Sequence, residues 1–297
     1  MIHFSVSYTI PMDNSTVRFL HEVNNRFYQE QGASFAQTRG APWHGWEQCL
    51  ESLVDAGLSR ASFSVFDLAC GNMRFETFLR TSLPETTIDY FGLDNSDEMS
   101  GVDDSGSKNH YQSLDILDLL INKTPDAVSS HIYAPQCDVV SSFGFMHHTP
   151  SQHLRKALLD VMISHAAPGG FIAVSFWQFL KCPNLARKAE EAHEEALATL
   201  DGTFLSGDGV NNNPGKLQAT PDERINDSSE LRTSLEEGDY FLGWQNKGGA
   251  YRYCHSFLDH EIDDLLEYAS GKTSLASRFE ADGRTKNLNQ YLVLQKQ

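Results

Sequence analysis

The chain has 297 residues, 40% of them hydrophobic, which is enough apolar material for one large α/β domain or two small ones. Its formal net charge of −17 argues against a protein that holds nucleic-acid phosphates over a wide surface, and we expect no DNA ligand. No apolar run approaches the ~20 residues that span a bilayer, so we expect no membrane partner, and the N-terminus lacks a secretory signal pattern.

The five cysteines are widely spaced and include no C-x-x-C pair. This pattern argues against a disulfide framework and against a zinc cluster. We therefore expect a reducing, cytoplasmic location and no metal centre.

The first predicted elements are helices. Residues 15–31 have helical spacing, with Asn24 among the apolar side chains of one face. A loop-like stretch follows, and Pro42 predicts the start of a second helix that runs through Leu53. We interpret residues 1–60 as an N-terminal helical extension.

Strands and helices are predicted to alternate between Ser64 and Trp177. The predicted strands are 64–69, 88–93, 112–115, 137–143 and 170–177, and the predicted helices are 74–82, 116–122 and 151–166. Such alternation implies a parallel sheet that is covered by helices on both faces.

The segment 178–250 has a different character. It begins with a predicted helix at 185–200 and continues into a loop rich in glycine and asparagine. We interpret it as an acidic insertion or lid within a single domain spanning residues 1–297. The fold is predicted to resume at 251–257, followed by a helix at 259–269 and two final strands near 275–280 and 289–295.

The most informative stretch is the turn after the first predicted strand, where Asp67, Ala69, Gly71 and Asn72 precede a helix. Backbone N–H groups at such a helix N-terminus face a bound nucleotide-type ligand. Ala69 and Met73 stand where a dinucleotide-binding turn would have glycines, which favours a ligand without a pyrophosphate at this point. The alternative is a plain strand-to-helix turn.

Two further carboxylates follow strand ends. Asp94 lies 23 residues beyond Gly71, close to the ~20-residue offset at which a carboxylate meets a ribose diol. Asp115 ends the third predicted strand, where it either accepts a hydrogen bond from an adenine amino group or caps the next helix. The segment 137–148 is predicted to be a buried strand that opens at the carboxyl edge of the sheet, where ligands of such folds bind.

Taken together, these motifs resemble those of the class I S-adenosylmethionine-dependent methyltransferases. The resemblance covers residues 60–180 and implies a Rossmann-like, doubly wound, seven-stranded α/β sheet with an antiparallel last strand. It also implies S-adenosylmethionine as the cofactor, with Gly71 and its neighbours at the methionine end, Asp94 at the ribose and Asp115 with Ile116 at the adenine. The full set of cofactor contacts that we expect is Tyr28, Asp67, Ala69, Gly71, Asn72, Asp94, Asn95, Asp115, Ile116 and Phe143.

Three stretches outside the turn are similar to the tRNA wobble-uridine carboxyl methyltransferases, which esterify a carboxymethyl group on a modified base. The first is 28–46, the second combines 145–150 with 168–170 and 175–177, and the third is 251–257. A carboxylate acceptor is ionised near pH 7 and needs a cation, for which Arg39 and Arg252 are candidates. An acceptor with a hydroxyl or amine would need a base, and His148 is the candidate for it. The resemblance also allows a small, basic activator subunit that contacts RNA.

The sequence leaves three functional alternatives open. The first is a methyltransferase whose acceptor is either a tRNA wobble-uridine carboxylate or a small molecule methylated on oxygen or nitrogen. A non-catalytic scaffold that binds the cofactor is the second alternative. A nicotinamide-dependent oxidoreductase is the third, and Ala69 and Met73 argue against it.

Overall fold

The computed structural model describes residues 12–38, 40–59, 61–95, 109–203, 228–245 and 249–297. The helices are α1 (Asn14–Gln37), α2 (His44–Asp55), α3 (Arg74–Ser82), α4 (Ile116–Asn122), α5 (Pro125–Ser129), α6 (Gln152–His165), α7 (Pro183–Thr203), α8 (Ser228–Ser234) and α9 (Asp259–Ala269). The strands are β1 (Ser62–Leu68), β2 (Thr87–Asp94), β3 (Asn109–Ser113), β4 (Cys137–Ser142), β5 (Ala166–Trp177), β6 (Asp239–Gly243), β7 (Tyr251–His255), β8 (Thr273–Ala281) and β9 (Asn289–Lys296).

Seven of the described strands form one sheet in the order β3-β2-β1-β4-β5-β9-β8. Strands β1 to β5 run parallel to their neighbours, whereas β9 is antiparallel to both β5 and β8. This confirms the predicted seven-stranded α/β sheet with an antiparallel last strand. The strand order reverses between β1 and β4, so the carboxyl ends of these two strands border the crevice where such sheets bind ligands.

Helices cover both faces of the sheet and bury two apolar cores. One core joins Leu68 and Val140 of the sheet to α4, α6 and α9. The other packs Trp46 of α2 and Phe75 of α3 against Val65. Among the described helices, none combines the length and the apolar character that crossing a membrane requires.

The structure differs from the sequence-based prediction in the segment that follows β5. Strand β7 does not extend the main sheet but pairs antiparallel with β6, a strand that the sequence pattern did not predict. This two-stranded sheet packs on α1 and α7, with Leu20 of α1 and Phe241 of β6 in a shared apolar cluster. Helix α1 and the β6–β7 sheet therefore meet beside the sheet edge that carries the predicted site.

The turn after β1 adopts a left-handed backbone at every second residue. Ala69, Gly71 and Met73 have φ values of 61°, 53° and 54°, and α3 begins at Arg74 as predicted. Only Gly71 adopts this conformation without a steric cost, since a Cβ atom makes it unfavourable. The Met73 side chain is buried, with its Cε atom close to Gly92, so it packs against β2.

Gly45, near the start of α2, is expected to tolerate no side chain. A Cβ atom there would lie 2.2 Å from the Tyr291 ring, whereas one at Gly271 would meet nothing within 4 Å. We expect Gly45→Ala to lower the free energy of unfolding by about 1–3 kcal/mol, the usual cost of overpacking. Urea unfolding measures this, with Gly271→Ala as the matched control; equal effects of the two substitutions would contradict the packing seen here.

Candidate functional site

A cleft of about 620 Å³ lies at the carboxyl edge of the sheet. Twelve of the thirteen residues predicted for the site line it: Tyr28, Asp67, Ala69, Gly71, Asn72, Asp94, Asn95, Asp115, Ile116, Phe143, His148 and Arg252. The thirteenth, Arg39, lies outside the described residues. Residues that are far apart in sequence meet here because parallel strands end at one edge.

Asp94, the last residue of β2, faces the turn after β1. Its Oδ2 atom accepts a hydrogen bond from the Gly71 backbone N–H at 2.9 Å. The bond fixes the carboxylate beside the left-handed turn, on a residue that lines the cleft. A carboxylate in this position is suited to a ribose diol.

Asp115 lies just beyond the end of β3 and takes the capping role, one of the two roles that the sequence left open. Its Oδ1 atom caps α4 by accepting the Asp118 N–H at 3.0 Å, and its Oδ2 atom lies 3.0 Å from His21 Nε2 and 3.1 Å from Asn25 Nδ2. Burial favours the protonated form, but the hydrogen bond and charge of His21, together with the other bonds, lower the pKa of Asp115 to about 2. The group is therefore a carboxylate at neutral pH, inside the cleft lining.

Helix α1 contributes more side chains to this site than Tyr28, the one that the sequence predicted. His21, Asn24, Asn25 and Tyr28 all line the cleft, and their spacing of i, i+3, i+4 and i+7 defines one helical face. Asn25 also accepts a hydrogen bond from the Asn95 side chain at 3.0 Å. The polar side chains at helical spacing, beside the apolar ones of the same helix, were the signal that could have identified this face.

Asp67 is buried below the turn. It accepts hydrogen bonds from Ser141 Oγ at 2.6 Å and from the Tyr90 hydroxyl. Burial raises the pKa of Asp67 to about 6, although the two hydrogen bonds oppose the shift; the charges of Asp94 and Glu76 add to it. Its carboxyl group therefore ionises close to physiological pH, directly beneath the cleft.

The raised pKa of Asp67 predicts a specific pH dependence of stability. Between pH 3.8 and about 6 the folded protein binds this proton more strongly than the unfolded chain does. The contribution of Asp67 to the free energy of unfolding therefore falls as the pH rises through this range and stays constant above it. Urea unfolding of the wild type and Asp67→Asn measures it: we expect their difference to change across this range, and parallel pH curves would contradict the assignment.

His148 is held on both sides of its ring. Its Nδ1 atom lies 2.9 Å from the Tyr253 carbonyl oxygen, and its Nε2 atom lies 2.8 Å from the Tyr28 hydroxyl. Because a carbonyl only accepts, Nδ1 carries a proton, and in the tautomer with its one proton on Nδ1 the Nε2 atom accepts from Tyr28. Any proton exchanged between His148 and the cleft along this bond therefore passes through Tyr28.

One cleft wall carries a buried cation. Arg252 of β7 is 6% exposed and lines the cleft, with its guanidinium 5.3 Å from the centre of the Phe27 ring and 5.7 Å from that of Trp244. Stacking on aromatic faces suits a guanidinium and leaves its edge for hydrogen bonding. Arg252 thus places a positive charge in the cleft wall.

Another part of the lining is aromatic. Trp43 and Trp46 stack at 5.4 Å, and the Arg74 guanidinium lies 5.7 Å and 5.4 Å from their ring centres. Trp46 belongs to a core cluster, with Trp43 packed against it, and both residues line the cleft.

Two groups of buried or partly buried side chains, among the residues described, bring three metal-ligating atoms together. They are His147 with His148 and Cys254, and Glu236 with Asp239 and His255. In the first group, the His148 nitrogen 3.7 Å from Cys254 Sγ is the one that faces the Tyr253 carbonyl. In the second, His255 bonds Asp239 at 2.7 Å and Glu261 at 3.0 Å. Protein partners thus engage atoms that a metal ion would need.

Comparison with known proteins found one curated sequence relative and several solved structures of similar fold. No family model matches the chain. The tRNA (carboxymethyluridine(34)-5-O)-methyltransferase ALKBH8 of Macaca fascicularis is 22% identical over 90% of this chain, and the match spans 44% of that relative's length.

Two solved structures share the fold. A SAM-dependent methyltransferase from Methanosarcina mazei has a TM-score of 0.51 and 13% identity, covering 82% of this chain and 96% of its own. The 1,6-didemethyltoxoflavin-N1-methyltransferase of Burkholderia thailandensis has a TM-score of 0.52 and 11% identity, covering 99% of this chain and 98% of its own. This chain therefore has the class I S-adenosylmethionine-dependent methyltransferase fold and is similar in sequence to a tRNA carboxymethyluridine methyltransferase.

Proposed function

We propose that this protein is an S-adenosylmethionine-dependent methyltransferase that acts by direct in-line displacement. The observation that carries the proposal is the convergence of Gly71, Asp94 and Asp115 on one cleft. The left-handed turn suits close approach of a ligand, and the two carboxylates suit a ribose diol and an adenine amino group. The cleft volume of about 620 Å³ lies within the 300–1,000 Å³ typical of small-molecule sites.

When bound, S-adenosylmethionine supplies a methyl group on a positively charged sulfur, which an oxygen or nitrogen nucleophile displaces. The protein's part in such a transfer is positioning and the exclusion of water. Gly71, Asp94 and Asp115 would hold the cofactor. Trp43 and Phe143 provide apolar walls from which water is displaced when the cleft fills.

Calorimetry with S-adenosylhomocysteine tests the cofactor assignment. We expect a saturable heat of binding with one site per chain. We also expect native mass spectrometry of the purified protein to detect a co-purified adenosyl ligand. The absence of heat at high protein concentration would contradict the proposal.

For the acceptor, the carboxylate of a tRNA wobble uridine is our first candidate. It is supported by Arg252, whose buried guanidinium in the cleft wall matches an anionic acceptor, and by the similarity to the macaque tRNA methyltransferase. A carboxylate has a pKa of roughly 4 and needs no general base. Because the chain carries a net charge of −17, a small basic activator subunit would have to supply most contacts to RNA phosphates.

Titration of tRNA affinity against salt tests this acceptor, with and without candidate basic subunits. Binding through phosphates weakens steeply as salt rises, so absent binding or a flat response would exclude tRNA. Arg252→Gln should then reduce methyl transfer while S-adenosylhomocysteine still binds. Arg278→Gln is the matched control, because Arg278 pairs with Asp263 at the surface.

A small molecule methylated on oxygen or nitrogen is the second candidate. It is favoured by the Tyr28–His148 hydrogen bond, through which a proton from the acceptor would reach the imidazole. The Burkholderia structure, an N-methyltransferase with its small-molecule substrate bound, has the same fold. Such an acceptor predicts a methylation rate that rises with pH, whereas a carboxylate acceptor that needs no base does not.

A further inference from the structure

The hydrogen bonds of His148 determine in which direction the Tyr28 hydroxyl donates its proton. The Tyr253 carbonyl accepts the Nδ1 proton at 2.9 Å, so the free lone pair of the neutral ring is on Nε2. Tyr28 therefore donates its proton to Nε2 across 2.8 Å. Toward any other group the Tyr28 oxygen is an acceptor, and polarisation along the chain of bonds increases its negative charge.

The sheet order places this pair at one end of the cleft. The carboxyl ends of β3, β2, β1 and β4 follow one another at intervals of ~4.8 Å. Asp115, Asp94 and Gly71 belong to the first three of these strand ends, and His148 follows the fourth. The pair thus lies at the far end from Asp115, beyond the turn that we assign to the methionine part of the cofactor.

The His148 ring is closely packed and 6% exposed. Its centre lies 4.2 Å from that of the His147 ring, and its Nδ1 atom lies 3.4 Å from Asn24 Nδ2 and 3.7 Å from Cys254 Sγ. These contacts hold the ring in the orientation in which Nε2 faces Tyr28.

From these contacts we infer that Tyr28, oriented by His148, recognises the positive charge of the methyl donor and distinguishes it from the uncharged product. The inference rests on the proposed function and deepens it. A polarised hydroxyl oxygen attracts a sulfonium and its methyl hydrogens but gains little from a neutral thioether. Tyr28 loses this attraction once the methyl group has moved to the acceptor, which favours release of S-adenosylhomocysteine.

Calorimetry with two probes, S-adenosylmethionine and S-adenosylhomocysteine, tests the inference without knowledge of the acceptor. Tyr28→Phe should weaken binding of S-adenosylmethionine about 10-fold, the equivalent of one charge-assisted hydrogen bond, and leave S-adenosylhomocysteine within about 2-fold. His148→Asn, which keeps a donor for the Tyr253 carbonyl but does not reach Tyr28, should have the same selective effect. His148→Gln offers an acceptor to Tyr28 and should restore most of the discrimination.

Tyr133→Phe is the matched control, because Tyr133 is 84% exposed and does not line the cleft. If Tyr28→Phe and His148→Asn weakened the binding of both probes equally, the inference would be overturned, and the two residues would have a structural role only. Unchanged affinities would overturn it too and would favour proton transfer from the acceptor instead. If the wild type binds neither probe, the proposed function itself fails, an outcome distinct from loss of discrimination alone.

Discussion

Replacing Arg155 by methionine is expected to lower the free energy of unfolding by about 3–5 kcal/mol, the usual cost of breaking a buried ion pair. Arg155 of α6 is 1% exposed, contacts Glu236 through Nη2 and donates to the Thr149 carbonyl from Nη1 at 3.3 Å. Its guanidinium also lies 3.7 Å from Glu261. Methionine has similar volume but no charge, so the substitution leaves these carboxylates without their cation.

The loss of stability in Arg155→Met is expected to be large because Arg155 belongs to a network of several buried charged groups. His255 bonds Asp239 and Glu261 in the same buried region. Burial and the charge of Arg155 lower the pKa of His255. The hydrogen bonds to Asp239 and Glu261, with the negative charge of Asp239, have the larger effect and raise the pKa of His255 overall. The cations and carboxylates join α6 and α9 to β6 and β7, the two-stranded sheet that carries Arg252.

Urea unfolding measures the effect of Arg155→Met. Arg278→Met, which breaks an exposed pair with Asp263, is the matched control and should change stability by no more than about 1 kcal/mol. The double substitution Arg155→Met with Glu236→Gln should recover part of the loss, since it removes one uncompensated charge. Equal effects of the two single substitutions would contradict a stabilising role for the network.

The main sheet was predictable from the sequence because its signals are local. Alternating apolar segments of strand and helix length define the parallel strands, and their shared carboxyl edge brings Gly71, Asp94 and Asp115 together. Local spacing also defined the start of α3 at Arg74, even though Met73 before it adopts a left-handed backbone. The residues that meet at strand ends follow from topology alone.

The parts that were not predicted depend on contacts between distant segments. Strand β6 has five residues and is stabilised by β7, α7 and α1, none of which its own sequence identifies. His21 became part of the site only when α1 brought it to Asp115, 94 positions later in the chain. The orientation of His148 likewise depends on a backbone carbonyl of β7, which no side-chain pattern encodes.

Replacing Asp94 by alanine is expected to weaken binding of S-adenosylhomocysteine by about 1–3 kcal/mol, the cost of orphaning a hydrogen-bonded group. In the proposed complex one carboxylate oxygen stays with the Gly71 N–H and the other accepts from the ribose diol. Alanine removes both bonds. Calorimetry at constant pH measures the change as a rise of roughly 5- to 150-fold in the dissociation constant.

Asp94→Asn separates the two bonds. Its carbonyl oxygen still accepts the Gly71 N–H, which keeps the turn in place, but its amide nitrogen offers a donor where the ribose needs an acceptor. If the ribose contact carries the binding energy, the asparagine variant should lose almost as much affinity as the alanine variant while its thermal stability stays near that of the wild type. Asp89→Asn on the same strand is the control, because Asp89 is exposed and outside the cleft lining. An unchanged dissociation constant in both Asp94 variants would remove this carboxylate from the site, and Asp115 would then have to carry recognition of the nucleoside.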